Sequence, residues 1–438
     1  MAPLRPPRPL VLAVLAIGIC AAGLPLQADA PPVYVIKDAR VVPVSGPPLE
    51  RGMVIIRDGL IEAVGPDLTP PGDARIVEGK GLTVYPGLID ASSEIGLPAP
   101  PPTPGTASSD EGGNLRSFFR VADTVTDGAA AAITARQTGI TTVLAVPNRG
   151  IFAGQSAVLS LNGDRATTVV RTPVAMHARF VGTGSREYPN ALMGILAYVK
   201  QGLLDARRYR EAWEVYRRDP RKLRRPETDR SLEALVPVVE GKLPLVLPGN
   251  SVPEVQRALR LGEEMGVKVW LSGAGESGTV AASLKERNVP VLLSLKFPDR
   301  PTDAGPDSDE SLRSLRRRVE APKCAAQLEQ AGVRFAFGSA GATPQDFVKN
   351  AGRTVKAGLA SEAALRALTL SAAELLGVDQ QLGSIEQGKV ANLIVTDGDL
   401  FAEKTRVRYV FVDGKLSTGA PAPPMAAPTP AANEKDDH

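Results

Sequence analysis

Short apolar runs separated by turn residues fill the first part of the chain, and longer amphipathic stretches alternate with apolar runs through its middle. Between Val33 and Val84 the pattern is β throughout: Val33 to Lys37, Arg40 to Val44, Gly52 to Arg57, Leu60 to Val64 and Arg75 to Glu78. Asp58-Gly59 joins two of these runs and predicts a tight hairpin, because both residues tolerate positive φ. Further on, the spacing predicts strands at Val84 to Asp90, Thr141 to Val146, Leu243 to Leu247, Lys268 to Leu271, Pro290 to Leu295 and Arg334 to Phe337. Helices are predicted at Ala129 to Thr138, Pro253 to Met265, Gly278 to Arg287, Leu315 to Ala331 and Glu362 to Leu370. Strand and helix alternation of this kind argues for a parallel sheet with crossover helices. The remaining strands are expected between Leu159 and Pro237, where the pattern gives no register. A last strand, Val407 to Val412, runs into a second Asp-Gly turn, Asp413-Gly414.

Within this frame one stretch concentrates polar chemistry. The apolar run from Leu82 to Ile89 is interrupted by Pro86-Gly87 and ends in Asp90, Ser92, Ser93 and Glu94. Strand side chains alternate faces, so Asp90, Ser92 and Glu94 are expected to project together. They are the candidate catalytic residues: two carboxylates able to act as acid and base, with a serine between them as nucleophile. No histidine adjoins that serine in the sequence, and an activated serine needs a positioned base. Strand-end hydrogen bonding for Asp90, and a small polar filler role for Ser92, are the simpler readings. For Glu94 the expectation is a partner, water access or a raised pKa, because an unpaired buried carboxylate is costly.

Composition narrows the partners. The 438 residues carry a formal charge of +3, too little to argue for nucleic acid. Aromatic residues are only 4% of the chain, which predicts a core of Val, Leu, Ile and Ala. Residues 1–30 read as an export signal: Arg5 and Arg8, an apolar run from Leu10 to Gly23, and Ala28-Asp29-Ala30 as cleavage site. That run is shorter than the roughly 20 apolar residues of a spanning helix, so the protein is expected in the periplasm or secreted rather than membrane-spanning. Cys20 and Cys324 are the two cysteines, and cleavage leaves no internal disulfide. Only His177 and His438 are histidines, which excludes a His-rich metal site.

Other segments stand out. His177, in Val174 to Phe180, reads as a half-buried histidine with its needs met locally, since no neighbouring ligands accompany it. Asn148 to Ser156 is a glycine-rich loop whose amides could hold an anion, or whose glycines simply turn the chain. Asp205 to Arg230 carries ten Lys/Arg against six Asp/Glu around Tyr209, Trp213 and Tyr216. That reads as a charged helix whose aromatic side packs down, with a basic docking surface as the alternative. Leu97 to Gly113, rich in Pro, Gly and Ser, is a loop over the strand end, either a lid or a segment without a role. Ser371 to Glu374 predicts a capping box opening a short helix that Gly377 closes.

Pro86-Gly87-Leu88-Ile89-Asp90 resembles the first-strand signature of the amidohydrolase superfamily, Pro-Gly-Leu-Ile-Asp-x-His-x-His. Leu382 to Asp397 resembles its closing motif, with Ala391-Asn392 in place of the usual Ala-Asp. The resemblance, closest to an imidazolonepropionase-like branch, implies an α/β fold: a TIM-like (β/α)8 barrel with a small β-sandwich built from both chain ends. It divides the chain into a signal peptide (1–30), an N-terminal sandwich segment (31–84), the barrel (85–375), a C-terminal sandwich segment (376–416) and a disordered tail (417–438). By family the reaction is hydrolysis of a non-peptide carbon–nitrogen bond with zinc or another divalent metal. The ligand positions are substituted: Ser92 and Glu94 stand for two histidines, Pro248 and Ser272 or Gly273 for two more, and Ala340 for the catalytic aspartate. No metal or other cofactor is therefore expected. Two readings remain: a pseudoenzyme binding a small-molecule ligand or a protein partner at the barrel mouth, and an active hydrolase using a carboxylate and serine site. Oligomeric state is not legible.

Overall fold

Both Asp-Gly turns form as the residues dictate. In the computed structural model, which describes residues 33–98, 113–125, 130–163, 168–181, 188–221, 223–300 and 310–419, Asp58 and Gly59 have φ of 51° and 82°, and Asp413 and Gly414 of 50° and 71°. The expected export signal, most of the loop 97–113 and the chain beyond 419 lie outside the described residues.

Strands β1 (Tyr34–Val41), β2 (Leu49–Arg57), β3 (Leu60–Gly65), β4 (Arg75–Glu78) and β5 (Thr83–Pro86) build one sheet. The two runs expected at Val33 to Lys37 and Arg40 to Val44 are a single strand. A register irregularity between Ile36 and Ala39, with Asp38 at φ 57°, absorbs the polar interruption. Tyr34, Ile36, Val54, Ile56, Ile61 and Val84 are buried along this sheet.

Pro86-Gly87 is the handover between sheets. Gly87 N–H donates to Asn392 O (2.7 Å), and a Cβ at Gly87 would collide with Thr141, so only glycine fits. Beyond it, β6 (Leu88–Ser93) runs parallel to β7 (Ile140–Ala145). The segment β8 (Phe152–Gln155) and β9 (Ala157–Ser160) then crosses as one extended run, antiparallel to β7 on one side and to β11 on the other. A short edge strand, β10 (Val169–Arg171), pairs with β9. From β11 (Met176–Ala178) the order is parallel: β12 (Leu245–Pro248), β13 (Val269–Gly273), β14 (Val291–Ser294) and β15 (Phe335–Gly338). The six strands predicted here are all present, while one of the two left without register lies earlier than expected and reverses direction. The first and last of these strands approach where Ala340 N–H donates to Ser92 O (2.8 Å). At that crossing a Cβ on Gly338 would lie 2.5 Å from Ser92 Cβ.

Ile89, Ala91, Leu144, Val158, Val246, Leu292 and Ala336 form an inner apolar layer. The helix Leu370–Leu376 packs against it through Ala372, Ala373, Leu375 and Leu376. Crossover helices cover the outside, for example Val252–Met265 through Val255, Ala258, Leu259 and Leu261. Each such large aliphatic side chain contributes about 1.5–3 kcal/mol by leaving water.

Three helix expectations are corrected. Leu315 to Ala331 is two helices, Leu312–Glu320 and Cys324–Gln330, with a 3-10 turn containing Pro322 between them. Gly278 to Arg287 begins as a 3-10 turn, Ser277–Val280, before the α-helix Ala281–Glu286. Ser371 lies inside the helix that starts at Leu370, so it caps nothing, and Glu374 instead meets Arg366 (3.4 Å). Gly377 does close that helix, at φ 67°.

The chain returns to the first sheet through β16 (Leu393–Thr396), β17 (Val407–Val412) and β18 (Lys415–Gly419), with β16 antiparallel to β5. The first and last described segments, β1–β5 and β16–β18, therefore share one sheet. Asn392 is its buried link: its Oδ1 accepts from Asp413 N–H (2.7 Å) and its Nδ2 donates to Thr142 Oγ1 (3.3 Å). The helix Leu192–Arg218 lays Tyr209, Trp213 and Tyr216 edge to face, with Arg217 and Arg225 each 5.6 Å from the Trp213 ring. Those rings are half-buried, as a packed aromatic side requires. No helix among the described residues is long and apolar enough to cross a membrane.

Candidate functional site

The polar strand ends converge where β6, β11, β12, β13, β14 and β15 finish. Asp90 is buried within β6, Ser92 is half-buried, and Glu94 falls just beyond the strand and is exposed. A register irregularity between Asp90 and Ser93 accompanies this change of exposure. Asp90 Oδ1 accepts from Ser339 N–H (2.7 Å) and from Ser92 N–H (3.1 Å). Its carboxylate thus ties β6 to the end of β15. Burial raises the Asp90 pKa from 3.8 to about 6, against the opposing pull of the hydrogen bonds from Ser339, Ser92 and Ser93. Glu94 meets its expected condition through water access.

The remaining positions singled out by the sequence line the same end. Pro248 closes β12 beside Ser272 of β13. Gly273, at φ 84°, packs so closely on Asn250 that a Cβ would strike its side-chain oxygen. Ala340 is exposed at φ 47°, two residues after the end of β15. Ser294 ends β14 and receives Lys296 N–H on its hydroxyl (3.1 Å). The rim therefore combines serine hydroxyls and backbone with the carboxylates of Asp90 and Glu94, and Arg179 stands beside it. Arg179, just after β11, is half-buried and donates to Asn148 O. Desolvation lowers its pKa, while the charge of Glu94 acts the other way.

Comparison with known proteins matches this arrangement. Residues 255–417 match the family described as "Amidohydrolase family". An amidohydrolase from Thermotoga maritima MSB8 superposes with a TM-score of 0.73 at 25% identity, covering 87% of this chain and 99% of its own. In that segment and in its fold, the chain is similar to the amidohydrolase superfamily. Two more distant structures share the fold: a Xaa-Pro dipeptidase with bound methionine (TM-score 0.55, 14% identity, 88% and 99% covered) and a molinate hydrolase (0.53, 17%, 93% and 100%). These neighbours imply a TIM-like barrel with an extra domain, as the parallel strands and their covering helices suggest.

An amidohydrolase ion needs nitrogen or carboxylate donors in a set of three or more. The residues here do not fit one. Proline and alanine offer no donor, serine is a poor one, and Asp90 accepts two backbone N–H groups. Among the described residues no three His, Cys, Asp or Glu come together in a group able to hold a metal.

His177 lies one strand position below the rim, paired with Val246 of β12, and its Nε2 is 2.9 Å from Ser156 Oγ. Both are buried. Burial depresses the His177 pKa from 6.5 to about 3, so the ring is neutral. The histidine is satisfied locally, as expected, but it is buried rather than half-buried. It does not reach the candidate serine, Ser92, by any hydrogen bond. Sequence reasoning missed Ser156 as its partner, because alternation along a strand that reverses direction had not been assigned.

The stretch Asn148 to Ser156, expected as a loop, is only partly one: Phe152–Gln155 is strand β8, and the facing segment 113–120 holds the stretch. Ile151 and Phe152 N–H both donate to Asn114 O, and Gln155 N–H donates to Phe119 O (2.8 Å). Gly154, at φ 121°, packs on the Phe119 carbonyl too tightly for a side chain. The glycines are thus explained by close backbone approach, and these amides are occupied. What the glycine pattern hid is Arg149, half-buried at the loop's tip.

Proposed function

We propose that this is an exported, periplasmic or secreted amidohydrolase-superfamily protein that binds a small molecule at its barrel mouth without the family's metal-assisted hydrolysis. The observation that carries this reading is the Ala340 N–H to Ser92 O bond (2.8 Å). Two positions that would carry side-chain ligands are joined through backbone, and neither offers a carboxylate or imidazole. Without a base at Ala340, the family's route to a deprotonated water has no acceptor. A serine and carboxylate hydrolase is the second reading. Against it stand the Asp90 carboxylate's ties to the backbone N–H groups of Ser339 and Ser92, which hold it within the strand ends, and the exposure of Glu94. The imidazolonepropionase-like branch remains part of this proposal.

The test is a hydrolysis panel of small amides and cyclic carbon–nitrogen substrates, run with added zinc or manganese and with chelator. The reading expects no turnover that responds to metal. Activity lost on Asp90→Ala or Glu94→Ala, with folding intact, would instead favour the second reading.

A further inference from the structure

Beside the ends of β6 and β7 lies a cavity of about 130 Å3, lined by Leu97, Pro98, Phe119, Pro147 and Ala153 together with Arg116, Asn148 and Arg149. Its walls are mostly apolar, yet two guanidinium groups border it. Arg116 is ordered over the Phe119 ring, 5.2 Å from its centroid. Arg149 is half-buried and makes no hydrogen bond or ion pair among the described residues. A guanidinium stays charged at any physiological pH, and a charge drawn partly out of water is costly until an anion meets it. Its planar fork matches a carboxylate with two parallel N–H···O bonds.

We infer that this cavity is a binding site for a small carboxylate with a short apolar body. The carboxylate meets Arg149, and the hydrocarbon lies against Leu97, Phe119 and Pro147. The inference deepens the binding reading proposed above and rests on it. Placement decides the polarity: Pro147 to Arg149 follow β7 at the same end as the rim, and Asn148 is fixed there by Arg179. Shape decides the size, since a cavity of this volume holds a few carbons and one acid group. The apolar lining also separates this ligand from a bare inorganic anion, which would leave Leu97, Pro98 and Phe119 without a partner.

The test is calorimetric titration of the purified protein, in chelator, with isovalerate and its neutral isostere isovaleramide. Isovalerate is expected to bind at least about tenfold more tightly than the amide, the equivalent of about 1.4 kcal/mol. Arg149→Gln should abolish that preference and Arg149→Lys should retain part of it, with unchanged thermal midpoints in both variants. Equal binding of acid and amide, undiminished binding by Arg149→Gln, or displacement of isovalerate by an equal concentration of inorganic phosphate would each overturn the inference. Metal-dependent hydrolysis would overturn the reading above and leave this site to the Arg149 comparison alone.

Discussion

Asp90→Asn offers a measurement in which a buried carboxylate reports itself through pH. Asp90 is buried with its Oδ1 between two backbone N–H groups, and its pKa rises from 3.8 to about 6. Between those values the folded chain holds a proton that the unfolded chain has released. Stability is therefore highest below pH 3.8 as far as this group is concerned, and falls as pH climbs through about 6. At about 1.4 kcal/mol per unit, the loss is about 3 kcal/mol by neutral pH. Asparagine keeps the acceptor oxygen and cannot ionise. The stability of Asp90→Asn minus that of the parent should then rise by about 3 kcal/mol from about pH 4 to about pH 7. Urea unfolding followed by circular dichroism at steps across that range gives both curves, and every other titrating group cancels in the difference. A difference that stays flat with pH would refute the claim that burial governs this carboxylate.

Three further outcomes follow. His177 has the opposite sign: its folded pKa of about 3 lies below 6.5, so its contribution is present above pH 6.5 and lost as pH falls towards 3. His177→Gln should flatten the acid limb of the unfolding profile, and an unchanged limb would count against its burial. Ser156→Ala removes the hydroxyl 2.9 Å from His177 Nε2 and should cost about 1–3 kcal/mol in urea unfolding, since the ring nitrogen stays buried without a partner. Gly338→Ala places a Cβ 2.5 Å from Ser92 Cβ and should cost about 1–3 kcal/mol by forcing β15 from β6, whereas a neutral result would mean that the two strands are not in contact there.

Much of the frame was legible because it depends on local chemistry. Asp58-Gly59 and Asp413-Gly414 turn as their left-handed φ values require, and Pro86-Gly87 breaks one apolar run into strands of two sheets. Asp90 lies inside β6, which runs on to Ser93, and its partner is the backbone of Ser339, 249 residues away, which no local pattern reveals. The β8–β9 segment was missed as a wall strand because periodicity carries no direction, so an antiparallel run inside a parallel series looks the same in sequence. Pro322 broke a helix whose apolar spacing continues past it. Arg149 was obscured by glycines that serve the Phe119 carbonyl and its neighbours. Side chains that act across strands become visible only when the strands are placed.

The account stands most directly on metal analysis of the purified chain. After incubation with zinc or manganese and removal of loosely held ion by gel filtration, elemental analysis should find well below one equivalent per chain, and Ser92→Ala, Glu94→Ala and the parent should not differ. One or two equivalents retained by the parent and lost on substitution at these strand ends would contradict it.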